Sequence, residues 1–168
     1  LHFDIPLSFA VPLVVLCLFL AAYLSAAETA ITGASRPRMH RLALQGNPKA
    51  VIVNALLDRK DETVSAVLLG NNVVNIGASS MATGLFLALL SGNQSAATTV
   101  STIVMTIVVL IFGEISPKAI AKENPETVAV AFAPVLLVLR TIVTPINALF
   151  VQWKKLLAKL FKPAHTES

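Results

Sequence analysis

The residues able to do chemistry in this chain are mostly oxygen donors set inside apolar runs. Ser25 and Glu28 are three apart and share one helix face. Asn71 and Asn75, four apart, do the same, with Asn72 beside them. Glu114 stands out most. No Asp, Glu, Lys or Arg occurs between residues 63 and 113, and the carboxylate then appears within Gly113-Glu114-Ile115-Ser116-Pro117-Lys118. An ionisable group at membrane depth costs roughly 2.5 to 3.5 kcal/mol on insertion scales, so it normally faces a cavity, a partner or an ion. Two readings of Glu114 follow: a functional carboxylate, or a helix-end residue paired with Lys118 at i,i+4. The three Asn amides must also find partners in lipid. Interhelical hydrogen bonding, worth about 0.6 kcal/mol on average, is the plain alternative to ligation.

These groups do not assemble into an enzyme. His2, His40 and His165 lie near the ends or in a basic loop, and no His-rich or Cys-rich ligand spacing occurs. Ser116 and Lys118 are too close in sequence to suggest a catalytic dyad, and an intramembrane hydrolase would need a nucleophile and base that the sequence does not offer. What remains is oxygen: the Ser25 hydroxyl, the Asn71 and Asn75 carbonyls, the Glu114 and candidate Glu28 carboxylates, and backbone carbonyls freed where Gly113 and Pro117 interrupt a helix. Hard divalent cations take such ligands, and Mg²⁺ accepts six oxygens with few carboxylates. One carboxylate neutralises half of its charge, so either Glu28 contributes or binding is weak enough for release.

The elements that must position these groups are membrane helices. The chain has 168 residues, 55% hydrophobic and 13% charged, with mean hydropathy +0.76. Several uncharged runs are long enough to cross lipid. The expected fold is an all-α integral membrane domain over residues 1–146, with spans at about 5–31, 63–90 and 97–118 and a re-entrant pair of short helices at about 126–145. An amphipathic juxtamembrane helix follows at 147–162, then a frayed tail at 163–168. The pair is expected not to span, because Pro134, Arg140 and Pro145 interrupt it and a crossing would carry the Lys-rich C-terminal part outside. Every Lys and Arg follows residue 35, and six of them lie between 36 and 60. This bias predicts a multi-pass protein of the plasma (inner) membrane, N-terminus outside and C-terminus cytoplasmic, and makes no case for nucleic acid. On the last helix Phe150, Trp153, Leu156, Leu157, Leu160 and Phe161 fall on one side, and Lys155, Lys159 and Lys162 on the other. That pattern suits the lipid interface or a docked cytosolic partner. Cys17, the lone cysteine, reads as a small buried hydrophobe.

Three stretches, Ser25-Ala26-Ala27-Glu28-Thr29-Ala30, Leu68-Leu69-Gly70-Asn71-Asn72-Val73-Val74-Asn75 and Gly113-Glu114-Ile115-Ser116-Pro117-Lys118, resemble in order the signatures of the membrane domain of the CorC and cyclin M (CNNM) magnesium transporters. Ala26 stands where that family often has Gly. The resemblance covers nearly the whole chain. It implies a homodimer that exports Mg²⁺ in exchange for inward Na⁺ by alternating access, and a cytosolic regulatory module of paired CBS motifs elsewhere in the full protein. It further implies Ser25, Asn71 or Asn75, Gly113 through its carbonyl, and Glu114 as Mg²⁺ ligands or near neighbours, with Glu28 at a Na⁺ site or in the cavity wall. Asn72, Ser116, Pro117 and Lys118 are further candidates for that Na⁺ site or cavity. A Mg²⁺-sensing scaffold that signals to the cytosolic module without flux would use the same ligands.

Overall fold

The computed structural model describes residues 6–161. The tail expected at 163–168, Lys162 and Ile5 lie outside the described residues. Among the described residues every regular element is helical: α1 (Leu7–Gly33), α2 (Arg36–Leu44), α3 (Pro48–Asp58), α4 (Lys60–Leu89), α5 (Gln94–Val108), a π-helical segment (Val109–Ile115), α6 (Ser116–Glu123) and α7 (Pro125–Leu160). Four helical stretches are long and apolar enough to cross a membrane: α1, α4, the continuous run Gln94–Glu123, and α7. Much of their apolar surface is outward. Phe9, Phe19, Ile76, Ile107, Phe112 and Ile142 are all more than half exposed, as expected where lipid rather than protein covers the helix. The chain is an all-α, multi-pass membrane domain.

The centre of the bundle is α1 against α4. Ala21, Ser25, Ala27 and Ala30 on α1 are fully buried, and α4 answers with Ala66, Val67, Asn71, Ala78 and Ala82. Small residues at these spacings let two backbones approach closely, the main route to helix association where lipid is as apolar as the side chains. Leu24, Ile31, Val67, Ala129, Ala133 and Leu136 form the larger core cluster. Tyr23 stacks on Phe132 at a centroid separation of 4.0 Å, tying α7 to α1.

The basic connection between α1 and α4 folds as a helical hairpin. Gly46 takes a φ of +88° that L side chains rarely adopt, and Asn47 caps α3 by accepting from the Lys49 and Ala50 amides at 3.1 and 3.3 Å. Arg36 donates to the Leu57 carbonyl, and Lys60 Nζ to the Thr32 carbonyl at 2.9 Å. The end of α1 and the start of α4 are thereby held side by side.

Two elements differ from the sequence expectation. The third span is not broken at Gly113 and Pro117. It widens instead into a π-helical segment, with the Ser116 amide donating to the Ile111 carbonyl, and runs on into α6. An extra residue per turn absorbs the register change that a proline imposes. The segment expected as a short pair plus a separate amphipathic helix is one continuous helix, α7, of 36 residues, with Pro134 and Pro145 inside it. Each proline removes one i→i−4 bond, yet its fixed φ is itself helical, and membrane helices tolerate such losses. The first turn of α7 packs on Gly33, with Glu126 3.7 Å from Arg38, and its Thr144–Lys154 region borders a cleft with the start of α4. Both stretches therefore flank the same end of the α1–α4 pair. Arg140 Nη1 donates to the Ala55 carbonyl at 3.1 Å, which explains a charge inside an apolar run.

Candidate metal site

Ser25 is 0% exposed on α1 and accepts a hydrogen bond from Asn71 Nδ2 of α4 at 3.4 Å. That amide is thus oriented with its nitrogen toward the hydroxyl and its oxygen elsewhere. Asn71 Oδ1 and Asn75 Oδ1 are both buried without a hydrogen-bond partner. A buried acceptor left unsatisfied costs on the order of 1 to 3 kcal/mol, so two of them one helical turn apart ask for a donor or a cation. Asn71 makes the interhelical hydrogen bond that was the plain alternative, through its Nδ2, while its carbonyl and that of Asn75 make none.

The π-helical segment lies against the same stretch of α1. Gly113 is buried facing Ala21: a Cβ on Gly113 would sit 3.6 Å from Ala21 Cβ, one turn before Ser25. In an α register the amide that serves the Gly113 carbonyl belongs to residue 117, which is proline and has none. Glu114 follows, partly buried, with no hydrogen bond or ion pair among the described residues. π-helical turns inside α-helices frequently mark functional sites.

Lys118 does not pair with Glu114. Its Nζ lies 3.3 Å from Glu28 Oε2, across the junction of α6 and α1. Glu28 borders a cavity of about 330 Å³ shared with Thr29, Thr32, Gly33, Lys122 and Pro125. Gly113 against Ala21, Asn71 against Ser25 and Lys118 against Glu28 thus mark one seam along α1, with Asn75 one turn beyond Asn71 on α4. Asn72 does not join them. It is exposed on another face of α4, in a cleft of about 620 Å³ between α4 and α7 that also holds Leu68, Asn147, Phe150 and Lys154. Ser116 is exposed and Pro117 buried.

Ala21, one of the small α1 residues that let a neighbouring backbone approach closely, supports the π-helical segment. One contributor escaped the sequence reading: Lys122 lines the cavity beside Glu28, and nothing in sequence pairs residue 122 with 28.

Among the described residues no three His, Cys, Asp or Glu side chains come together. The donor set on this seam is neutral hydroxyl and amide oxygen, a backbone carbonyl and one or two carboxylates, which suits a hard cation bound with few charges.

The family model described as "Cyclin M transmembrane N-terminal domain" matches residues 12–168. The chain is 38% identical over 134 residues to the "UPF0053 inner membrane protein YfjD" of Escherichia coli, covering 77% of this chain and 31% of that protein. It is 35% identical over 143 residues to a "UPF0053 protein" of Haemophilus influenzae, covering 85% of this chain and 33% of that one. A "UPF0053 protein YhdP" of Bacillus subtilis is 28% identical over 160 residues, covering 89% and 36%. The chain therefore spans about a third of the length of these relatives. With its four long apolar helices and a seam of buried oxygens, this chain belongs to the cyclin M transmembrane N-terminal domain family.

Proposed function

We propose that this domain carries Mg²⁺ across the inner (plasma) membrane. The observation that supports the reading most directly is the pair of buried, unpartnered carbonyls, Asn71 Oδ1 and Asn75 Oδ1, the first on the amide that bonds Ser25, with the π-helical Gly113 against Ala21 one turn earlier on α1. In this reading Ser25, Asn71, Asn75, the Gly113 carbonyl and Glu114 hold the ion. The few charges keep affinity low enough for release on either side. Na⁺ is the coupling ion, favouring one conformation over the other, and the site opens alternately to each side. The N-terminus lies outside and the basic α2–α3 hairpin inside. Two copies associate within the lipid, a cytosolic CBS-type module elsewhere in the full protein regulates them, and the domain catalyses no covalent step.

The test is Mg²⁺ uptake by proteoliposomes holding the purified chain, wild type and Glu114→Gln, alongside thermal unfolding during a MgCl₂ titration. A one-site protein at 100 times Kd gains about 2.7 kcal/mol. Wild type should gain stability and carry Mg²⁺, and the Gln variant, which keeps shape and loses charge, should do neither. Equal behaviour of the two proteins would refute the assignment of Glu114. Binding without flux would make the site a sensor.

A further inference from the structure

Glu28 follows Ser25 by three residues on the same face of α1, with Oε2 buried and without a hydrogen-bond partner. Lys118 faces it at 3.3 Å, carried four residues after Glu114 on the run that contains the π-helical segment. The contact is one of charge without hydrogen-bond geometry, and a pair of that kind is exchanged more readily than a directed, charge-assisted bond. It also joins the two elements that carry Ser25 and Glu114, so it sits between halves of the candidate site. The cavity beside Glu28 is lined by Thr29, Thr32, Gly33, Pro125 and a second cation, Lys122.

Charge balance gives the pair a role. The Ser25 and Asn oxygens are neutral and Glu114 brings one negative charge, so a divalent cation would leave one positive charge uncompensated. Glu28 supplies the balance only if Lys118 releases it. We propose that Lys118 is a tethered counter-cation: its ammonium neutralises Glu28 in the ion-free domain and is displaced from that carboxylate when a divalent cation binds. This rests on the proposed function. Lys118 touches no ion in either state. It acts through Glu28, weakening cation binding enough to permit release, and the return of the ammonium to Glu28 accompanies departure of the ion.

The experiment is calorimetric titration of the detergent-purified chain with MgCl₂ for wild type, Lys118→Met and Lys118→Arg. Lys118→Met should lower the Kd for Mg²⁺ at least tenfold and slow Mg²⁺ release from proteoliposomes. Lys118→Arg, which keeps the charge, should stay within about twofold of wild type. A brace that only joined α6 to α1 would lower thermal stability in Lys118→Met and leave the Kd unchanged or raised, and that result would overturn the proposal. If wild type binds no Mg²⁺ at all, the proposed function fails and this inference fails with it. Should Lys118→Met not fold, amine acetylation of the wild type read by mass spectrometry decides the question. Mg²⁺ should raise modification of Lys118 and leave that of Lys154 and Lys155 unchanged. Modification of Lys118 that does not respond to Mg²⁺ refutes displacement.

Discussion

Replacing Asn71 with Leu separates a residue kept for ion binding from one kept for the fold. The side chain is 6% exposed, its Nδ2 donates one long bond of 3.4 Å to Ser25, and its Oδ1 has no partner. Leu has the same branching and the same number of heavy atoms and no polar atoms, but its methyl groups are bulkier than the amide, and overpacking a buried site costs about 1 to 3 kcal/mol. Removing the orphaned acceptor relieves on the order of 1 to 3 kcal/mol. Losing the Ser25 bond costs about 0.6 kcal/mol, the average for interhelical bonds in membranes, and the freed hydroxyl can bond back to a carbonyl of its own helix. Overpacking offsets most of the relief, so the net expectation is a change within about 1 kcal/mol, or roughly 2 to 4 °C in Tm for a chain of this size. Asn71→Leu should therefore unfold within a few degrees of wild type in EDTA, yet show no stabilisation by MgCl₂. The assay is thermal unfolding in detergent under both conditions. A fall of several degrees in EDTA would mean that Asn71 is a structural hydrogen-bonding residue. A retained Mg²⁺ response would mean that its carbonyl does not meet the ion. Either result refutes the reasoning.

Gly113→Ala tests whether Gly113 contributes through its carbonyl alone. The added Cβ would meet Ala21 Cβ and Val109 Cγ1 at 3.6 Å, an ordinary contact, so stability should change by less than about 1 kcal/mol, the helix-propensity difference between the two residues. Mg²⁺ binding, measured by the same calorimetric titration, should survive; its loss would require the glycine for backbone freedom rather than for space. Asn47→Ala removes the two bonds that cap α3 and should cost about 1 kcal/mol. It should lower Tm without altering the Kd for Mg²⁺, because the cap lies in the hairpin outside the seam.

The candidate oxygen donors stand out in the sequence because each violates its surroundings. A carboxylate after fifty-one uncharged positions, or three amides in an apolar helix, is costly unless something answers it, and cost can be read without coordinates. Helical periodicity also placed Ser25 with Glu28 and Asn71 with Asn75, since those pairs lie within one element. Pairings between elements were not legible. Lys118 has Glu114 four residues away and meets Glu28 instead, because α6 packs against the end of α1 and brings the ammonium to 3.3 Å from that carboxylate. Asn72, adjacent in sequence to Asn71, turns to a different cleft because successive helical residues point about 100° apart.

The all-α membrane class, the approximate limits of the first three apolar stretches and the candidate ligands follow from composition, periodicity and the cost of polarity in lipid, which are properties of single segments. The tertiary structure decided how local irregularities resolve. Gly113 and Pro117 promised a break, and packing against Ala21 accompanies a π-helical turn that keeps the run continuous. Pro134 and Pro145 promised separate helices, and α7 instead runs unbroken through both, anchored by Tyr23 on Phe132 and by Arg140 on the Ala55 carbonyl. A proline or glycine sets only a local preference of a few kcal/mol, and contacts between distant segments, invisible along the chain, are large enough to choose among the outcomes.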